Sequence, residues 1–206
     1  MKKLNRVAFR KQIPISDAAE APPLDFSTQA DAAFATACAA LAKAERFAWQ
    51  AAADIPGTRL ATVPTATADR ILEPAAVAAR LAQGLVVVGD GARALRGGQT
   101  TLRAIPSRDW ADALRCAGTN GCNYDLMTDD VIRWLRKLEA EQPFDITAVA
   151  HDLVEGRFRS PIAKPTAMAK RMYRFCPDLV DQGCGTVGKL AKELAGDTPL
   201  LYFWWD

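Results

Sequence analysis

Three groupings of residues in this sequence have the types and spacings from which chemistry is built. The first is Gly183-Cys184-Gly185-Thr186-Val187-Gly188-Lys189-Leu190, which follows the phosphate-binding loop pattern up to its final position. That loop needs serine or threonine at the end, because the hydroxyl ligates magnesium, and Leu190 offers none. The segment before it reads as a helix end and a short loop, not as the buried strand such a loop needs. The same letters fit glycines entering a helix capped by Thr186, whose free backbone N–H groups would form a bare anion site. Gly183, Gly185 and Thr186 are the candidates for anion or ligand binding there, joined by Asn120, Asn123 and Asp125 of a second, turn-rich loop.

The second grouping gathers Cys176, Asp178, Asp181, Gln182 and Cys184 between two helical patterns. Adjacent carboxylates can split their pKa values and serve as acid and base. They can equally hold structure, Asp178 at a helix exit after Pro177 and Asp181 at the glycine turn. The third is His151-Asp152 with Glu155, since a histidine oriented by a carboxylate is a recurrent acid-base device. His151 is the single histidine, so any Ser-His-Asp or Cys-His mechanism must run through it, and no Gly-x-Ser-x-Gly elbow accompanies it. Its expected place at a hairpin tip also fits a solvated turn. Tyr202-Phe203-Trp204-Trp205 has the stacking surface for bases but lacks interleaved positive charge, so core burial is expected instead.

Composition narrows the classes further. Lys and Arg total 26 against 24 for Asp and Glu, which leaves no global field to recruit nucleic acid or an acidic membrane. The five cysteines are odd in number and scattered without a Cys-x-x-Cys pair, so reduced thiols in a cytoplasmic protein are expected and no metal site or cofactor is. The basic start (Lys2, Lys3, Arg6, Arg10, Lys11) lacks the apolar region of a signal peptide. No stretch approaches the roughly 18 apolar residues that span a bilayer.

The elements that must position these residues follow from periodicity. Residues 1–26 read as a basic arm and linker, and residues 27–55 as an Ala-rich helix capped by Ser27, with Phe34, Cys38 and Leu41 on one face. Residues 59–206 read as a single α+β domain with a mixed or antiparallel sheet and helices packed on it. Its expected strands run from Arg59 to Val63, Leu85 to Val88, Thr101 to Ile105, Phe144 to Ala150, Leu153 to Arg159 and Leu200 to Trp205, the last an apolar run suited to burial on both faces. Expected helices open at Pro74, Ser107, Thr128, Thr166 and Thr186, the Thr128 helix being marked by Val131, Leu135 and Leu138. From Thr101 onward the order is that of a split β-α-β, ferredoxin-like unit, whose open sheet face the N-terminal half would cover.

Four separated stretches carry a family resemblance: Thr119-Asn120-Gly121-Cys122-Asn123-Tyr124-Asp125, Phe175-Cys176-Pro177-Asp178, Asp181-Gln182-Gly183-Cys184-Gly185-Thr186-Val187 and Tyr202-Phe203-Trp204-Trp205-Asp206. Together they resemble the bacterial domain of unknown function 4253 family over about residues 101–206. The resemblance implies bacterial origin and a domain core but no settled activity. Where that family usually carries a non-thiol and a glutamate, this chain has Cys184 and Gly188, which sets both thiol chemistry and the phosphate-loop likeness apart from any shared function.

The expectation drawn from these readings is a non-catalytic protein-binding module of the immunity or accessory type. Its expected partner is another bacterial protein, with neither nucleic acid nor membrane among its partners. The alternative is a hydrolase or transferase using the loop from Cys176 to Cys184 around an anion or metal, with Asp178, Asp181, His151 and Cys176 as candidate catalytic residues.

Overall fold

A computed structural model of the chain describes residues 23–91 and 98–206. The basic arm up to residue 22 and residues 92–97 lie outside the described residues. The strands are β1 (Gln50–Ala51), β2 (Arg59–Pro64), β3 (Val86–Gly89), β4 (Gln99–Ile105), β5 (Phe144–Ala150), β6 (Leu153–Phe158) and β7 (Leu200–Trp204). They form one sheet in the order β1-β2-β4-β3-β5-β6-β7. Neighbours are antiparallel except β3 and β5, which run parallel and meet at Gly89 and Ala148. The helices are α1 (Ala32–Glu45), α2 (Thr65–Ile71), α3 (Pro74–Ala82), α4 (Ala111–Ala117), α5 (Thr128–Glu141), α6 (Pro165–Phe175) and α7 (Val187–Glu193).

The α+β class with a mixed sheet is therefore present, but the split β-α-β strand order is not. That order would seat β4 between β6 and β7. Here β6 and β7 pair directly from Leu153–Trp204 to Arg157–Leu200, which closes that position. β3, from outside the expected unit, takes the place between β4 and β5.

The sheet is covered on both faces. On one, α4 to α7 bury Leu114, Leu135, Met172 and Leu194 against Phe144, Phe158 and Phe203. On the other, α1 and α2 cover β2, β3 and β4, where Phe34, Cys38 and Ile71 meet Val63, Val87 and Leu102. Alternation along β3 sends Val86 and Val88 to the first core and Val87 to the second, as a strand's period of two requires.

Several expected boundaries move. α1 is capped by Asp31, whose carboxylate accepts from the Phe34 N–H at 2.9 Å, and not by Ser27. It stops at Arg46, which turns left-handed (φ 60°), well short of residue 55. The Trp49 indole N–H then donates to the Cys38 carbonyl at 3.0 Å, folding the chain back along the helix. Thr128 and Thr166 lie inside their helices; Met127 and Lys164 precede them, and the Asp130 carboxylate accepts from the Met127 N–H at 3.1 Å. Ser107 binds the Asp109 N–H at 2.9 Å, one turn ahead of α4. β7 is buried on one face only: Leu201 and Phe203 are enclosed, whereas Leu200 is exposed and Tyr202 and Trp204 are half-buried.

Candidate functional site

Asp178 sits just beyond α6 and Pro177, 3% exposed. One carboxylate oxygen accepts from the Tyr124 hydroxyl at 2.5 Å and from the Gln182 amide at 3.0 Å; the other accepts from the Asp206 N–H at 3.0 Å. Each donor arrives on a different local structure. Tyr124 ends the single turn Cys122–Tyr124. Gln182 belongs to the wide helical turn Leu179–Cys184, found where a plain loop was expected and closed by the Gly185 N–H on the Val180 carbonyl at 2.8 Å. Asp206 follows β7.

The electrostatics fit that geometry. Burial alone would raise the Asp178 pKa, yet the Tyr124, Asp206 and Gln182 donors outweigh it and hold the carboxyl below its usual value. Burial, reinforced by the adjacent Asp178 charge, pushes the Tyr124 hydroxyl far above the usual tyrosine range. The pair is a neutral phenol donating to an ionised carboxylate. Around it, the Asn123 amide donates to the Asp206 carbonyl. Gly121 packs on Trp205 so closely that a Cβ would lie 2.8 Å from its ring, which admits only glycine.

Cys176 is fully buried, and its thiol donates to the Trp204 carbonyl at 3.0 Å. Burial pushes it up to about 12, so it is a neutral thiol packed under β7. Asp181 is not in the same network. It is exposed and accepts from the Tyr173 hydroxyl at 3.2 Å, in place of the expected contact with the glycine turn. The two carboxylates of the expected acid-base pair thus take separate tyrosines.

The glycine-rich stretch is likewise turned inward. The Thr186 hydroxyl caps α7 by accepting from the Lys189 N–H at 3.1 Å, Gly185 adopts a left-handed turn, and the Cys184 thiol donates to the Thr186 carbonyl at 3.4 Å. Gly183 breaks the helical turn ahead of it. A wide turn, not a buried strand, leads into this segment, which removes the setting a phosphate loop requires.

His151 occupies the β5–β6 hairpin tip, away from Asp178. The Asn120 side-chain oxygen Oδ1 accepts from the Cys122 N–H at 3.1 Å, and the side-chain nitrogen Nδ2 lies 3.0 Å from His151 Nδ1. Nδ1 also lies 3.3 Å from the Gly118 carbonyl. The Asn120 N–H also donates to the His151 carbonyl at 2.8 Å, so this histidine is stapled to the turn-rich loop. Asp125 closes that loop in a left-handed conformation (φ 57°) and is exposed.

Two concave features were not legible beforehand. A cleft of about 350 Å³ lies at the carboxyl ends of the parallel strands β3 and β5, lined by Gly89, Asp90, Thr101, Arg103, Cys116 and His151. The chain leaves those strands in opposite directions, the position at which open sheets take ligands. Its polar groups engage protein: Arg103 binds Asp54 at 2.5 Å and Thr58 at 3.0 Å, and burial pushes the Cys116 thiol up to about 11. The second feature is a groove of about 250 Å³ between β7 and the wide turn and α7, with Met172, Leu179, Leu190, Leu194, Leu200 and Tyr202 on its walls.

Among the described residues, the large exposed hydrophobic side chains are Tyr124, Met127 and Leu200, with Met127 64% exposed. No helix among the described residues is long and apolar enough to cross a membrane, and no group of three His, Cys, Asp or Glu side chains there is placed to hold a metal ion. The sequence model of the family described as Domain of unknown function (DUF4253) matches residues 101–206. Searches of curated proteins and of solved structures gave no match. The matched region begins within β4 and contains every segment that meets at Asp178.

Proposed function

The chain belongs to the DUF4253 family, and we propose that it is a non-catalytic protein-binding module of the immunity or accessory type, acting on another protein in the bacterial cytoplasm. One observation carries this reading. The most enclosed carboxylate of the matched region, Asp178, has both oxygens taken by protein donors, while the flank around it presents Tyr124 and Met127 outward. A catalytic acid or base must reach a substrate proton, and here Tyr124, Gln182 and Asp206 occupy those positions. Met127, a flexible and polarizable side chain beside the Tyr124 ring, gives that flank a surface a partner protein can cover. A reducing compartment suits Cys38 and Cys176, which are fully buried as free thiols.

The test places a photo-crosslinking amino acid at the exposed position Asp129, beside Met127, in cells of the native host. The expected result is a discrete protein adduct that falls sharply when Met127→Asp is added. Turnover of a small molecule by the purified chain, lost in Asp178→Asn with the fold intact, would overturn the proposal in favour of the hydrolase or transferase alternative.

A further inference from the structure

We propose that the outer edge of β7 binds an extended, basic segment of a partner protein by strand addition; this rests on the protein-binding reading above and gives it a site. The backbone parity of β7 is fixed by two hydrogen bonds to β6 and its flanks. Trp205 N–H donates to the Asp152 carbonyl at 3.0 Å, and Phe158 N–H donates to the Pro199 carbonyl at 3.0 Å. In an antiparallel pair alternate residues face the partner strand, so Leu201 and Phe203 share the side of Trp205 and Pro199. The backbone groups of Leu200, Tyr202 and Trp204 therefore point away from β6.

At Trp204 the outward carbonyl accepts from the Cys176 thiol. Among the described residues, no hydrogen bond reaches the outward N–H or carbonyl of Leu200 or Tyr202. β7 is the last strand of the sheet, and the groove runs along this edge. A row of open donors and acceptors beside an apolar trough is the arrangement that accepts an added strand: main-chain bonds supply affinity, and alternate side chains enter the trough.

The chemistry of the occupant follows from the lining. Met172, Leu179, Leu190 and Leu194 form an aliphatic floor, so the entering side chains are aliphatic. Glu193 is the exposed charge on the groove wall, Asp178 lies beneath it with its carboxylate held by Tyr124, Gln182 and Asp206, and no lysine or arginine lines the groove. A segment alternating aliphatic and basic residues complements both features. The walls argue against a second copy, because α7 and the wide turn flank each β7 and would hold two such edges apart.

The experiment uses the full chain and a short synthetic peptide alternating valine and lysine. Controls are the same peptide N-methylated at alternate amides and a valine-glutamate counterpart. Binding is followed by titration, and amide exchange is followed at Leu200 and Tyr202. Expected are fast exchange at both amides in the free chain, protection on adding the valine-lysine peptide, and at least about tenfold weaker binding of either control. Tyr202→Pro should abolish binding while sparing the ladder to β6, since it removes an outward donor from an edge strand. Glu193→Arg, at an exposed position of α7, should invert the preference between the lysine and glutamate peptides.

Equal affinity for the N-methylated peptide, or no response to Glu193→Arg, overturns the proposal. So does slow exchange at Leu200 and Tyr202 in the free chain: protection lost on dilution shows the edge covered by a second copy, and protection that persists shows it closed within the chain. Should the peptide fail while the crosslink beside Met127 persists, the protein-binding reading stands and only the groove is lost.

Discussion

The Tyr124 hydroxyl donates to the buried Asp178 carboxylate at 2.5 Å, tying together residues 54 positions apart in the chain. A charge-assisted bond of this kind contributes about 1.5–3 kcal/mol. Tyr124→Phe is therefore expected to destabilise the fold by about 2 kcal/mol. Asp178→Ala removes the acceptor from three donors and should cost more, about 3 kcal/mol or above. Asp181→Ala, at an exposed carboxylate with one tyrosine partner, should stay within about 0.5 kcal/mol. Chemical denaturation of the three variants beside the parent checks the ranking, and equal losses at Asp178 and Asp181 would remove the distinction drawn between them.

The same pair sets a pH signature. Asp178 has a depressed pKa in the fold, so its contribution is fully present above the unfolded carboxylate value and is lost as pH falls through the folded value. Tyr124 has a raised pKa, so its contribution is present below the unfolded tyrosine value near 10 and declines as pH rises beyond it. Melting temperature against pH should show an acid limb weakened in Asp178→Asn and an alkaline limb weakened in Tyr124→Phe. Limbs unchanged by either substitution would contradict the linkage.

Thiol reactivity separates the packed cysteines from the accessible one. Cys38 and Cys176 are fully buried, with pKa values pushed by burial up to about 11 and about 12; Cys122 is exposed. Brief treatment of the native chain with iodoacetamide near pH 8, read by peptide mass spectrometry, should label Cys122 and spare Cys38 and Cys176. Labelling of Cys176 at a rate comparable to Cys122 would restore it as a candidate nucleophile.

A chain beginning at Arg59 retains β2 through β7 but loses α1, which covers Ala61, Val63 and Leu102 with Phe34 and Cys38. Loss of one buried phenylalanine costs about 3–5 kcal/mol. The fragment is expected to fold, to melt several degrees lower and to bind an apolar dye that the full chain does not bind. Recovery of aggregated material alone would place the domain boundary before α1.

How much of this was legible in the sequence depended on the range of the interactions involved. Helix α5 was readable because Val131, Leu135 and Leu138 repeat at helical spacing with polar residues between them, and all three are fully buried. The β5–β6 hairpin and the Thr186 cap were readable for the same reason: turn and cap chemistry is local. Helix α2 was missed because Thr65-Ala66-Thr67-Ala68 carries β-branched residues of modest helix propensity and no side-chain cap. β7 read as buried on both faces because Leu200, Tyr202 and Trp204 are as apolar in type as the residues between them. Only the pairing with β6 tells the two sets apart. Asp178 stood out as polar, but its partners Tyr124 and Asp206 come from elsewhere in the chain, and nothing in their spacing announces the contact. The cleft at the carboxyl ends of β3 and β5 was hidden for a related reason, since the adjacency of those strands is a matter of sheet order.

Among the described residues, strands β1, β2, β4 and β3 pair with strands β5, β6 and β7 at the parallel seam of Gly89 and Ala148. Each side is assembled from neighbours close in sequence or from antiparallel partners, whereas closing the seam spans more than a quarter of the chain. The β6–β7 pairing of Leu153 with Trp204 spans nearly as much, so both are long-range contacts that raise the contact order of the fold. Side chains carry the continuity across that short seam: α3 packs on both of its strands, and Val86, Val88 and Ile105 share one apolar cluster with Phe144, Ile146 and Phe203, so the seven strands stand on a common core.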